Sequence, residues 1–243
     1  MNSYHWRHDR FAVNTSRHGR LQSGMKSKEM VMGRFSLTPT WAAMPLIAAL
    51  AANGLAQPAR AEVGPPDEAR AVVAFWRAAG PALWFAKDDA FDKRFRDRFL
   101  AVHEAAARGE LADWATRADG ALALVILLDQ FPRNAFRGTA RMYATDGHAR
   151  LVADAAIKAG HDRAVENEIA KFFYLPFAHS EALADQERSM ALTRRLGEPD
   201  LSHAIGHRDI IRRFDRFPHR NPILERSMMG EEQHYLESGG FKG

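Results

Sequence analysis

The chain contains no cysteine among its 243 residues. That absence removes disulfides, thiolate metal sites and cysteine nucleophiles together, and it fits a cytoplasmic or an exported bacterial-type protein equally. There is no Gly-x-Ser-x-Gly elbow, no phosphate-binding glycine loop and no dinucleotide-binding glycine pattern, so the enzyme classes those motifs mark are excluded. From Pro65 onward no alternating apolar pattern is long enough for a strand. Acidic residues are scarce at the start: residues 1–61 hold eight Lys/Arg against two Asp/Glu, so a net charge of +4 for the whole chain leaves the remainder at −2. The sequence pI of 9.6 therefore belongs to the N-terminal tail. A nucleic-acid reader carries its positive charge on the folded body, so no nucleic-acid partner is expected.

What is present divides at about residue 61. Residues 1–40 are polar and basic without helical or strand period, and an uncharged apolar run follows over residues 41–56. Spanning a bilayer takes about twenty apolar residues, and this run is shorter and contains Pro45, Asn53 and Gly54, which suits a signal-peptide core. Ala59-Arg60-Ala61 has the small-x-small form of a cleavage site. The basic region is long for a leader if translation starts at Met1, and ordinary if it starts at Met25, Met30 or Met32. Residues 1–61 are thus read as a disordered extension with a signal peptide, giving a periplasmic protein. The alternatives are a membrane anchor through an uncleaved 41–56, or a cytoplasmic protein.

Residues 62–243 read as one all-α domain, and 46% apolar content over the chain is ample for a core. Pro65-Pro66 opens a first helix that buries Val72, Val73, Phe75, Trp76 and Ala79 and stops at Gly80-Pro81. A second begins at Asp88-Asp89, keeps Phe91, Phe95, Phe99, Val102 and Ala106 on one stripe, and ends at Gly109. A third covers Trp114 to Phe131. Its Ala121–Leu128 run is apolar on every face, so that helix is expected at the centre. Further helices are expected from a Thr139 cap to Ala159, from Val165 to Tyr174, from a Ser180 cap to Leu196, from Asp200 to Phe214 and from Glu231 to Glu237. Short Gly/Pro corners between such helices indicate antiparallel pairs, in a repeat-like superhelix or a bundle.

Two segments repeat one another: Leu127-Leu-Asp-Gln-Phe-Pro-Arg-Asn134 and Arg213-Phe-Asp-Arg-Phe-Pro-His-Arg-Asn221. In each, proline is expected to stop an apolar helix and to present Arg and Asn from the corner beyond. The polar corner residues are the candidates for a site. Asp129, Arg133, Asn134, Arg137, His207, Arg216, Arg220 and Asn221 would bind ligand. His179 and His219 would exchange protons, with Glu181 orienting the first and Asp215 the second. Because guanidinium, imidazole and amide donors outnumber the carboxylates in this set, the preferred partner is a small anionic molecule or an acidic peptide end. No cofactor is expected. No metal is expected either, since His203 and His207 share a helix face without an intervening Glu. Bracing of proline-broken corners by the same side chains is the competing structural reading.

At these residues the chain resembles the bacterial domain of unknown function 924 family, whose members have a helical fold similar to tetratricopeptide repeats. The likeness spans about residues 70–241. It rests on Phe75-Trp76, the 127–134 motif with Phe136-Arg-Gly138, the Asp146 segment, Phe173-Tyr-Leu-Pro-Phe-Ala-His-Ser-Glu181 with Gln186, and His207 through Asn221. The family pattern usually has glycine where this chain has Asp215 and Glu225, and commonly methionine at Ala178. The two replacements are expected to add carboxylates near the site. The resemblance implies a fold and no reaction. Three functions stay open: an anion binder, a hydrolase or lyase acting on a phosphate- or carboxylate-bearing small molecule, and a protein-interaction scaffold.

Overall fold

A computed structural model describes residues 67–243. The apolar run at 41–56 and the Ala59-Arg60-Ala61 cleavage pattern lie outside the described residues. Among those described, the regular structure is helical, and no helix is long and apolar enough to cross a membrane.

Two long helices come first, α1 (Asp67–Trp84) and α2 (Asp89–Ala107). Gly80 interrupts α1 with φ 65°, just before Pro81, as the sequence implies. The Asp88 carboxylate accepts the N–H of Phe91 at 2.7 Å and so caps α2. The apolar stripes of both helices meet in an aromatic layer in which Trp76 packs 5.4 Å from Phe95 and edge-on at 5.3 Å to Phe172.

Behind this layer runs the expected central rod, built from α3 (Ala118–Val125), a π-helical turn (Ile126–Gln130) and α4 (Phe131–Ala135). Every residue from Ala121 to Leu128 is at most 3% exposed. Truncating one of them, such as Leu127→Ala, costs about 2–5 kcal/mol in this setting. The rod starts close to the chain that precedes it: a Cβ on Gly120 would stand 2.1 Å from the carbonyl oxygen of Trp114, so only glycine fits.

The remaining elements are α5 (Asp146–Lys158), the short α6 (Asn167–Ala170) and α7 (Leu175–Ala178), then α8 (Leu183–Thr193), α9 (Asp200–Phe214) and α10 (Gly230–Glu237). Helices α8 and α9 are antiparallel, since Glu187 meets Arg212 at 2.5 Å while Met190 meets Arg208 at 3.0 Å. Ile210, Ile211, Phe214 and Phe217 form a second, small apolar cluster with Tyr235 and Phe241 against it. Helix lengths run from 4 to 19 residues, so no fixed repeat unit is present among the described residues.

Several boundaries differ from the sequence reading. Pro132 and Pro176 do not stop their helices but sit in the first turn of α4 and α7, where a missing N–H costs nothing within that helix. Thr139 introduces a 3-10 turn (Ala140–Tyr143), and the α-helix starts only at Asp146. Ser180 lies two residues ahead of the α8 cap position; its hydroxyl donates to Asp185 at 2.6 Å and accepts from Ala182 N–H.

Candidate functional site

Helix α9 does end before its proline, with Asp215 in the left-handed region at φ 56°. The 127–134 motif behaves differently, because the π turn carries the helix through the proline. In a regular α-helix the N–H of residue 132 would bond to the carbonyl of Leu128, and proline has none. Side chains from other elements take the released carbonyls. Thr145 Oγ1 donates to Leu128 O at 2.5 Å, His103 Nδ1 to Leu127 O at 2.9 Å, and Arg133 Nη1 to Asp129 O at 2.7 Å. A carbonyl only accepts, so His103 carries its proton on Nδ1, and burial holds its pKa below the ordinary value. The widened turn also puts Asp129 and Gln130 inside, at 0% and 3% exposure. Wide turns of this kind recur at functional sites.

The Asp129 carboxylate accepts Nδ1 of His179 at 2.8 Å and the amide of Gln130 at 2.6 Å, with Arg133 at 3.3 Å. Arg133 in turn makes a two-pronged pair with Asp146, the first residue of α5, at 2.8 and 3.0 Å. Burial by itself pushes the Asp129 carboxyl up, but Arg133 and His179 outweigh it and hold the group down at about 2. A carboxylate at Asp129 requires the His179 proton on Nδ1, which leaves the Nε2 lone pair free. Burial and the Arg133 charge keep His179 below its usual pKa, against the pull of Asp129.

Beside His179 stand three further basic side chains. His207 on α9 has its ring 6.5 Å from that of His179. His219 and Arg220 come from the 3-10 turn Pro218–Arg220, and Arg220 donates to the His179 carbonyl at 3.0 Å. Both histidine rings lie 5.6 Å from the Phe217 ring, and the Arg220 guanidinium lies 4.5 Å from Phe217 and from Tyr143. Three atoms in this group are buried without a hydrogen-bond partner: Nδ1 of His207, Nδ1 of His219 and Nε of Arg220. Burial and crowding by His179, His203, His219 and Arg220 bring His207 down to about 3. Burial and Arg220, opposed by Glu181, bring His219 to about 3. Both rings are neutral at physiological pH. Arg220 is itself lowered by burial and by Arg133, and its nearest carboxylate oxygen, on Asp146, is 3.9 Å away.

The structure thus brings together Asp129, Arg133, His179, His207, His219 and Arg220 from segments far apart in sequence. Glu181 borders the group, but it does not orient His179. Its oxygens accept from Arg226 at 2.7 and 3.0 Å and from the N–H of Phe217 at 2.8 Å. Asp215 does not orient His219 either: it is exposed at the end of α9. The other expected ligand residues lie in separate networks. Asn134 and Arg137 both bind the buried Asp92, at 2.7 and 2.8 Å. Arg216 and Asn221 bind Glu232, whose carboxyl is held at about 2, chiefly by Arg216. The expected surplus of donors over carboxylates is likewise corrected, since Arg133, Arg137, Arg216 and Arg226 each have a carboxylate within 3 Å and Arg220 does not.

Sequence reasoning missed Tyr143, Arg226, Asp92 and Glu232 as members of these networks. Arg226 and Tyr143 lie in segments with no motif, and no pattern marked them. Asp92 could be read only as a favourable charge in the first turn of α2. Two open surface hollows, of about 160 and 150 Å³, are lined by α1 and its neighbours, for example Arg77 and Trp84 or Phe75 and Phe91, and not by this basic group.

The fold and these residues define an all-helical protein with a buried Asp-His pair beside a cluster of neutral histidines and one incompletely paired arginine. The chain belongs to a family of bacterial proteins of unknown function (DUF924), which it matches over residues 72–240. It is similar to the solved structure of a protein of unknown function from Agrobacterium tumefaciens, with 56% sequence identity and a TM-score of 0.70, over 71% of this chain and 98% of that one. A comparison with curated proteins gave no match.

Proposed function

We propose that the cluster around Phe217 binds a small anion, a carboxylate or a phosphate. The observation that carries this reading is the set of three buried atoms without partners, on His207, His219 and Arg220, grouped about one ring. Each of these groups can donate, and a buried donor without an acceptor costs about 1–3 kcal/mol. An anion supplies acceptors to all three. It also relieves the crowding of positive charge, so the imidazoles take up protons as it binds and affinity rises as pH falls from 7 to 5. The test is thermal shift of the purified protein with inorganic phosphate, citrate and small phosphate esters. Stabilisation by one of them, lost in Arg220→Met, is the expected result, and an Arg220→Met response equal to the wild type's sinks the reading.

The Asp129–His179 pair supports a second reading, a hydrolase or lyase acting on that bound anion. A fully buried carboxylate fixes the imidazole tautomer and leaves Nε2 as the base. In this reading His179→Ala abolishes turnover of a stabilising ester while leaving its binding intact. Equal turnover in the wild type and the variant refutes it. Export belongs to the same proposal, and a mature chain starting at Glu62, measured by intact mass, is its signature.

A further inference from the structure

We propose that residues 239–243 form a strap that covers the anion cluster and must lift for a ligand to enter, an inference that rests on the anion-site reading. The Phe241 ring packs edge-on against His207 at 4.8 Å and His219 at 5.0 Å, and stands 6.4 Å from Phe217. It therefore lies against the two imidazoles, whose rings stay partly exposed while their Nδ1 atoms are buried and without partners. Beyond it the chain stays close to the same ring: a Cβ at Gly243 would stand 3.0 Å from Cδ2 of His219.

The strap is folded back onto α10 through two glycines. Gly239 turns the chain with φ 91°, and Gly240 donates to the Tyr235 carbonyl at 2.9 Å. A Cβ at Gly240 would lie 2.6 Å from the Tyr235 ring and carbonyl, so a larger residue is excluded by close approach. The Tyr235 hydroxyl then accepts the N–H of Phe241 at 3.0 Å. This attachment belongs to the small cluster of Ile210, Ile211, Phe214 and Phe217 and not to the main core. Segments with few buried apolar partners open at a small fraction of the global unfolding free energy. The strap is thus the part of the site built to move, and the imidazoles beneath it are its cargo-facing surface.

Carbethoxylation of histidines by diethylpyrocarbonate, resolved by peptide mass spectrometry on the full chain at pH 6, tests the cover directly. His207 and His219 are neutral there and react if reached, and the exposed His203 serves as the reference. In the wild type the two partly exposed rings should react more slowly than the exposed His203, and Phe241→Ala should raise both rates severalfold with His203 unchanged, as expected when the strap limits access. Tyr235→Phe keeps the ring and removes the anchor, so it should give an intermediate rise even if Phe241→Ala unfolds. Equal His207 and His219 rates in the wild type and both variants overturn the strap. Phosphate separates the two ideas. A wild-type phosphate response that Phe241→Ala leaves unchanged overturns the strap alone, whereas unmasked histidines with no phosphate response in any of the proteins overturn the anion site and the gating role with it.

Discussion

His179 Nδ1 donates to Oδ1 of Asp129 at 2.8 Å, tying the end of α7 to the π turn of the central rod across 50 positions of sequence. The pair is the hinge of a larger chain of ion pairs, because Asp129 also faces Arg133 and Arg133 grips Asp146. Removing the Asp129 charge leaves Arg133 and His179 facing one buried carboxylate fewer. Asp129→Asn should therefore destabilise the protein by about 3 kcal/mol, within the range for breaking buried pairs, measured by urea unfolding. A loss under 1 kcal/mol would show the pair to be marginal.

The exchange between Pro132 and Thr145 gives a double-mutant cycle. Thr145→Val leaves the Leu128 carbonyl without its donor and should cost about 1–3 kcal/mol. In a Pro132→Ala background, residue 132 regains an N–H that can serve the same carbonyl, so the cost of Thr145→Val should be smaller. Equal costs in both backgrounds would mean that the threonine does not replace the missing donor.

Asp215 and Glu225 are the residues other than glycine with positive φ among those described, at 56° and 54°. They are also the two positions at which the family resemblance implies glycine. Both side chains are exposed, and neither adds a carboxylate to the cluster around Phe217. Left-handed backbone costs a side-chain-bearing residue about 1–2 kcal/mol, partly offset by the extra entropy that glycine loses on folding. Asp215→Gly and Glu225→Gly should each stabilise by about 0.5–1 kcal/mol, read from the midpoint of chemical unfolding. A fall in either midpoint would assign that side chain a structural role.

Acid should destabilise the domain in two stages. His207 and His219, faced by His179, His203, Arg220, Arg133 and Glu181, titrate at about 3 in the folded state and near 6.5 when unfolded. Below pH 6.5 the unfolded chain binds the extra protons, so stability present at pH 7 declines as pH falls toward 3, by up to about 1.4 kcal/mol per group per pH unit. Asp129, at about 2 when folded, adds a further loss between about pH 4 and 2. Thermal unfolding from pH 7 to 4 should show the first stage, and His207→Gln should flatten it. A midpoint constant from pH 7 to 5 would show that the two imidazoles are not held neutral by their surroundings.

Part of the candidate cluster's composition was legible, but little of its pairing. His179, Asp129, Arg133 and Arg220 stand out because polar residues near proline corners are scarce in an otherwise apolar pattern, and His207 because it lies in the matched 207–221 segment. The partner assigned to His179, however, was its neighbour Glu181, whereas the structure uses Asp129 and gives Glu181 to Arg226. Residues two apart at a helix end diverge in direction, and the productive contact comes from a different helix. The prolines misled for a related reason: Pro132 looked like a stop because its missing N–H is a local property, while the donors that replace it, His103 and Thr145, come from other elements.

Periodicity, helix caps and the fully apolar 121–128 run determined by themselves that this protein is helical and which helix lies at its centre, because burial of apolar faces follows local spacing. Charge division along the chain likewise separated the basic tail from a slightly acidic body. Which arginine lacks a close carboxylate, which carboxylate fixes His179, and that Phe241 lies over two histidines were decided only by tertiary structure. Those relations join segments from the π turn of the central rod to residues 239–243, and no local propensity encodes the distance between side chains that tertiary packing alone brings together.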